Sequence, residues 1–403
     1  MNTMPTSKQI PLFKVYMSKK APRAVSNVLK SGFIGEGPQV KEFERELRQF
    51  FKLRDYQTDI ITTNSATSAE HLFYHYLKSE RGLREEFGWG YSEKKWLPFN
   101  RDKDEVLTTA LTCTSTNWPI ILNEMKLRWV DVDPLSLNMD LNDLKKKINQ
   151  NTRIISVVHW GGNPIDVDKL KTIVRQAEKK YNTSILVIED CAHAFGSQYK
   201  GKLVGTTGNF ATFSLQAIKH ITSIDGGFII SPYTSFTRDA KLLRWYGIDR
   251  EGPRADFRCE ADVPEAGFKF HMNDVSAAVG RANLAESTKI LSKNTTNGRF
   301  YNKALKNIDG VRVIPQIRGA RSAFWLYTMH VERRDDFMKY MAENGVVTSR
   351  VHEQNNNHTC VKQYQAPLPQ LDQAIKSMIC IPVGYWVKKE DREYIVDLIK
   401  KGW

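Results

Sequence analysis

The chain has 403 residues, 41% of them hydrophobic and 26% charged, which fills more than one packed unit and excludes wholesale disorder, collagen-like repeats and coiled coils. Lys and Arg number 59 against 45 Asp and Glu, and the net charge of +14 suits an anionic partner. The basic residues sit in short clusters such as Lys145 to Lys147 on amphipathic helical patterns, and no nucleic-acid-binding signature occurs, so neither nucleic acid nor a membrane is expected. No apolar run approaches the ~18 residues of a membrane span. Met1 to Lys14 lacks the apolar stretch of a secretory signal, and the five cysteines (113, 191, 259, 360 and 380) form no CxxC pair. A cytoplasmic protein is expected.

Taken in chain order, an N-terminal arm comes first, followed by a loop from Ser31 to Pro38 and a helix over Pro38–Phe51, where Val40, Phe43, Leu47 and Phe50 fall at helical spacing. From Thr58 to Pro232, short β-rich runs alternate with helix-sized segments. The runs are Thr58–Thr62, Glu105–Thr109, Leu127–Asp131, Arg153–His159, Ser184–Asp190, Asn209–Leu215 and Gly226–Ser231. Alternation of this kind predicts an α/β fold with a mostly parallel, mixed sheet sandwiched by helices. Ile185 to Ile188 is apolar throughout, as in a strand buried on both faces. Residues 79–104 read as a surface insertion and 272–308 as one long connecting helix. A smaller C-terminal α+β domain over 309–403 is expected, after an arm and helices over 1–54 and a large domain over 55–271.

One stretch carries the strongest chemical signal. Ser214 to Thr222, followed by Asp225-Gly226-Gly227, places Lys219 among apolar and small residues between two strands. Burial lowers a lysine's pKa and leaves an amine nucleophile. Upstream, the strand ending at Asp190 puts that acid at a strand's carboxyl end, where α/β sheets bind ligands, although a helix-capping role also fits. Asn64 to Ser68, between a strand and a helix, offers backbone N–H groups to a phosphate or serves as a plain N-cap. Cys191 and His193 lack the partners of a metal pattern, and no metal is expected. The polar segment 351–358, with His352 and His358, is a candidate for substrate contacts or a solvated loop, as are Arg250, Arg254 and Arg258 for anion contacts.

The order of Gly32 to Pro38, Asn64 to Thr67, Glu189 to His193, Ser214 to Gly227 and Gly267 to Met272 resembles the DegT/StrS-type nucleotide-sugar aminotransferases over nearly the whole chain. That resemblance implies fold type I and pyridoxal 5'-phosphate, present as pyridoxamine 5'-phosphate during turnover. It makes Lys219 the Schiff-base lysine and Asp190 the partner of the pyridine nitrogen. His193 falls near the phenolic oxygen, and Ser65, Ala66, Thr67 and Ser214 around the phosphate. Lys269 falls in a segment that the family extends across a homodimer interface towards the neighbouring cofactor. In Thr112 to Thr116, a further cofactor segment, Cys113 replaces the usual stacking aromatic residue. Gly35, His220, Arg250, His352 and His358 are expected near substrate. The implied reaction moves an amino group from L-glutamate to a nucleotide-linked keto-sugar (UDP-, dTDP- or GDP-linked), at carbon 4 of a 4-keto-6-deoxyhexose, giving an amino-sugar nucleotide and 2-oxoglutarate. A related dehydratase carries His in place of the lysine, and a cofactor-binding regulator is the remaining reading. Lys219 and Asp190 favour aminotransfer over both.

Overall fold

A computed structural model describes residues 9–53, 58–79, 100, 103–253, 256 and 262–403. Its centre is a seven-stranded sheet built from β1 (Asp59–Thr63), β2 (Glu105–Thr109), β3 (Lys126–Val130), β4 (Thr152–Val158), β5 (Leu186–Asp190), β8 (Phe210–Ser214) and β9 (Gly227–Ser231), in the order β1-β9-β8-β5-β4-β2-β3. The pairs β8/β5, β5/β4, β4/β2 and β2/β3 are parallel, and β9 is antiparallel to both β1 and β8. The reversed strand therefore lies one place in from the edge. The strand boundaries agree with the sequence reading to within two residues.

Side chains alternate across each strand, so apolar runs serve two cores at once. In β5, Leu186 and Ile188 pack with Leu72 and Phe73 of α3 (Ala66–Lys78), whereas Val187 packs with Leu170, Ile173 and Val174 of α6 (Val167–Tyr181). In β1, Ile61 joins the first of these clusters, and Ile60 packs with Val40, Phe43 and Leu47 of α2 (Pro38–Phe51). Between α3 and α6 in the chain come α4 (Thr114–Leu122) and α5 (Leu141–Lys147), and α7 (Thr234–Leu243) follows β9.

One element departs from the expectations. The helix predicted over 272–308 is two helices, α8 (Asp274–Leu284) and α9 (Ser287–Ala304). Tertiary partners seize the residues at the break: Ser18 N–H donates to Asn283 at 2.8 Å, Asn283 donates to Thr222 O at 2.7 Å, and Glu286 accepts from Ser18 at 2.6 Å and from Tyr16. The N-terminal arm also contains a helix, α1 (Ala21–Ser31), packed on α8.

Beyond α9, β10 (Val311–Val313), β12 (Tyr327–Val331) and β13 (Met378–Ile381) form an antiparallel sheet, covered by α10 (Arg334–Glu343), α11 (Pro369–Ser377) and α12 (Lys389–Lys401). A third small sheet joins β6 (Gln198–Tyr199) and β7 (Lys202–Leu203) to β11 (Ala320–Arg321). The arm reaches the C-terminal unit, where Ile10 exchanges backbone hydrogen bonds with Gly345 and Val347 at 2.8 and 3.1 Å. The proposed 79–104 insertion lies almost wholly outside the described residues, as do Arg254 and Arg258. Among the described residues no helix is long and apolar enough to cross a membrane.

Candidate active site

Strands β1, β2, β5 and β8 all point their carboxyl ends to one side of the sheet, and the loops leaving those ends line a cavity of about 440 Å³. Ser65, Ala66 and Thr67 enter it after β1, Cys113 after β2, Asp190 and His193 at and after β5, and Ser214 and Lys219 at and after β8. Eight residues separated by up to 154 positions in the chain thus share one cavity because a parallel sheet gathers its strand ends.

Asp190 is 5% exposed and held from two directions. Thr116 Oγ1 donates to Oδ2 at 2.5 Å, and the Ala192 N–H donates to Oδ1 at 2.9 Å. Asp190 therefore caps no helix. Its carboxylate is fixed in the cavity wall. Thr116 acts through that carboxylate and does not itself line the cavity.

Lys219 keeps access to the cavity while surrounding protein withdraws its amine from bulk water. That desolvation pushes its pKa down from 10.5 to about 8, against the opposing pull of Asp190. His193 is buried, and its Nδ1 accepts from the Gly161 N–H at 3.4 Å. Burial, with the nearby charge of Lys219, holds its pKa well below the usual value, and His352 is likewise lowered to about 4. Both imidazoles are neutral at neutral pH. Their rings stack at 5.5 Å with planes 5° apart.

At the opposite end, Ser65 caps α3 by accepting from the Ser68 N–H at 3.0 Å, leaving the first-turn amides of Ala66 and Thr67 beside the cavity. Both readings of Asn64 to Ser68 are therefore compatible: the serine caps the helix, and the helix start faces the cavity. Gly227 allows this approach, because a Cβ there would lie 2.2 Å from Ala66 N.

Several residues expected at the site stand elsewhere. His220 is buried, with Nε2 3.1 Å from Ala323 O, so it is committed to packing. Gly35 O accepts from the Asp274 N–H at 2.7 Å. Arg250 lies 4.3 Å over the Trp245 ring and pairs with Glu36 at 3.3 Å. Lys269 Nζ lies 4.0 Å over the same ring, and His358 packs edge-on to Trp118 at 5.7 Å. None of these five lines the cavity formed by this chain.

The sequence reading missed others. Glu70, one turn into α3, lines the cavity at 3% exposure; its Oε1 accepts from Thr212 at 2.9 Å, and its Oε2 has no hydrogen-bond partner among the described residues. Burial, then the charge of Asp190, raises its pKa well above the usual carboxylate value. An acid amid the small and apolar residues of α3's first turns was the available signal. Trp325, Phe13, Ser115 and Gln216 also line the cavity. Behind it, His159, Glu189 and Cys191 bring potential ligand atoms within 4.8 Å of one another. The polar atoms of His159 and Glu189 are committed: His159 Nδ1 accepts from the Ile165 N–H at 3.1 Å, Nε2 donates to Glu189 at 3.0 Å, and Glu189 also accepts from Asn209 at 2.6 Å. A wider groove of about 760 Å³, bordered by Lys52, Lys202 and Arg299, contains none of the candidate site residues named from the sequence.

A model of the DegT/DnrJ/EryC1/StrS aminotransferase family matches residues 16–400. The chain belongs to this family. Two solved structures are similar over their whole length: the sugar aminotransferase CalS13 of Micromonospora echinospora, at 37% identity and a TM-score of 0.88, and AtS13 of Actinomadura melliaura, at 37% and 0.90. They cover 98% and 99% of this chain, and 100% of each of those chains. The UDP-4-amino-4,6-dideoxy-N-acetyl-beta-L-altrosamine transaminase of Campylobacter jejuni is 25% identical over 397 residues, 94% of this chain and 96% of its own.

DegT/DnrJ/EryC1/StrS aminotransferases use pyridoxal 5'-phosphate and its pyridoxamine form, and the cavity fits that cofactor. A helix start with a hydroxyl-bearing rim suits the phosphate, a fixed carboxylate suits the ring nitrogen, and an amine of lowered pKa suits the aldehyde carbon. Cys113 lies in the cavity wall.

Proposed function

We propose that this aminotransferase moves an amino group from L-glutamate to a nucleotide-linked keto-sugar, at carbon 4 of a 4-keto-6-deoxyhexose. The observation that carries the reading is the Lys219 amine, with its pKa near 8, sharing one cavity with the pinned Asp190 carboxylate. Bound pyridoxal 5'-phosphate supplies an aldehyde carbon that takes up the amino group and a ring that accepts electrons from the adjacent carbon. Lys219 would hold the aldehyde carbon at rest and, once displaced by the donor amine, would take the proton from the donor's α-carbon and return it on the cofactor side, water releasing 2-oxoglutarate. The same amine would move a proton in the opposite sense when the keto-sugar is aminated. Asp190 would keep the ring nitrogen protonated, and Ala66, Thr67 and Ser214 would hold the phosphate.

The choice of substrate draws on the relatives. CalS13 is described as a sugar aminotransferase, and the Campylobacter enzyme is named for a UDP-linked 4-amino-4,6-dideoxy sugar. The net charge of +14 favours a diphosphate-bearing partner. Exposed Phe33, Ile34, Ile224 and Tyr246 support a homodimer, in which Lys269 and Arg250 would serve the neighbouring cavity.

The test is the absorption spectrum of the protein with pyridoxal 5'-phosphate, before and after glutamate, for the native chain and Lys219→Ala. A visible band that glutamate removes only when Lys219 is present supports amino transfer. A band indifferent to glutamate sinks it in favour of dehydration or a binding role.

A further inference from the structure

Lys219 Nζ lies 3.7 Å from the centre of the Trp325 ring. The indole N–H donates at 2.9 Å to Ile218 O, the carbonyl immediately preceding Lys219. Trp325 thus meets both the backbone and the amine of the reactive loop, although it comes from the segment leading into β12, more than 100 residues later. It is 4% exposed, and stacks with His193 at 3.9 Å and with Phe13 of the N-terminal arm at 5.3 Å.

The backbone leading to Trp325 is strained to put it there. Phe324 has φ of 52°, a left-handed conformation that bulky residues avoid. Its N–H donates to Ser322 Oγ at 3.0 Å, and its carbonyl accepts from Asn294 at 3.1 Å. Ala323 is clamped by Ser197 at 3.0 Å and by His220 at 3.1 Å. The Phe324 ring fills space available only because residue 298 is glycine, where a Cβ would approach that ring to 2.4 Å. Strain persists only where surroundings over-determine it, and it concentrates where the next side chain must be exactly placed.

We propose that Trp325 is a positioning residue for Lys219: its indole face holds the ammonium whenever the amine is not bonded to cofactor. Amino transfer requires Lys219 to be displaced and later to return, and a flexible four-carbon side chain freed in the cavity loses its aim unless something fixes the nitrogen. The competing attractor, Asp190, is needed at the ring nitrogen. An aromatic face draws the cation without engaging that carboxylate. The same attraction favours the protonated amine and so opposes the desolvation that depresses its pKa. The inference rests on Lys219 being the reactive amine, but the contact exists in the apoprotein and can be read there.

The experiment is competitive acetylation of the apoprotein across pH, with the Lys219 peptide followed by mass spectrometry and surface Lys30 as the internal reference. Trp325→Leu should lower the midpoint for Lys219 by roughly half a unit to one unit, with Lys30 unmoved and Trp325→Phe close to native. Replacing the tryptophans with progressively fluorinated analogues, which keeps shape and weakens the ring's pull on cations, should lower the midpoint stepwise, and this covers failure of the leucine variant to fold. A native midpoint in the fluorinated series, or in folded Trp325→Leu, overturns the proposal. Labelling needs no cofactor, so failure of the contact and failure of the proposed reaction are read separately.

Discussion

Thr116 Oγ1 stands 2.5 Å from Asp190 Oδ2, so the first turn of α4 reaches across the sheet to fix a carboxylate at the end of β5. Thr112 Oγ1 lies 2.9 Å from Thr116 Oγ1 and extends the contact. Thr116→Val keeps the shape and removes the donor, leaving a buried carboxylate oxygen short of a partner at a cost of about 1–3 kcal/mol. Weaker pyridoxal 5'-phosphate binding and lower thermal stability are expected, with Thr116→Ser near native. Unchanged affinity and melting temperature in the valine variant would remove Thr116 from the site.

Glu70 gives a pH signature. Its pKa is raised in the folded protein, so between about 4.5 and that raised value the native state binds a proton that the unfolded state has released. Its contribution to stability is thus present below about 4.5 and fades as pH rises. Glu70→Gln cannot ionise, so its melting temperature should gain on the native protein as pH increases from 5 to 9. A gap constant over that range would show that Glu70 titrates normally.

Gly227 is a steric requirement. Any Cβ would lie 2.2 Å from Ala66 N and 2.6 Å from Ala66 Cα, both backbone atoms of the first turn of α3. Gly227→Ala must push β9 and α3 apart, with a cost of about 1–3 kcal/mol typical of overpacking. Affinity for pyridoxal 5'-phosphate should fall with it, since the displaced turn is the proposed phosphate seat. Titration of cofactor into the folded variant checks this, and native affinity would move the phosphate elsewhere.

Arg244 secures the N-terminal segment. Its buried guanidinium meets Glu36, Glu44 at 2.9 Å and Thr62 O at 2.6 Å. Arg244→Ala leaves Glu44 without its hydrogen-bonded cation and Glu36 with only the more exposed Arg250 at 3.3 Å, a loss of about 3–5 kcal/mol for a buried pair broken on one side. Chemical denaturation should show a midpoint shift of that size. A shift under about 1 kcal/mol would mean that water replaces the guanidinium, as at exposed ion pairs.

The large sheet was legible because its strands are uniformly apolar and separated by helix-sized segments, patterns that depend only on local sequence. The break between α8 and α9 was not: no proline marks it, and partners some 270 residues away in sequence, Tyr16 and Ser18, hold Glu286 there. The strand β13 carries little local signal, because Met378 to Ile381 is short and directly follows a helix. Lys219, Asp190 and Ser65 to Thr67 stood out because special residues interrupt a simple pattern at strand ends. Trp325 carries no such mark, since a tryptophan in an apolar run is ordinary until its surroundings are known, and Glu70 carries only the weaker mark of an acid inside a helix rather than at a strand end.

The sequence by itself determined the strand–helix alternation, the family, and the residues that meet at the strand ends, because periodicity and motif order are properties of the chain alone. The tertiary structure decided which polar groups are trapped away from water, which side chains reach the cavity from the C-terminal unit and the arm, and that His220 serves packing. Those outcomes depend on burial and on distances between segments far apart in the chain, and the pKa of an amine or acid responds to that enclosure more than to its sequence neighbours.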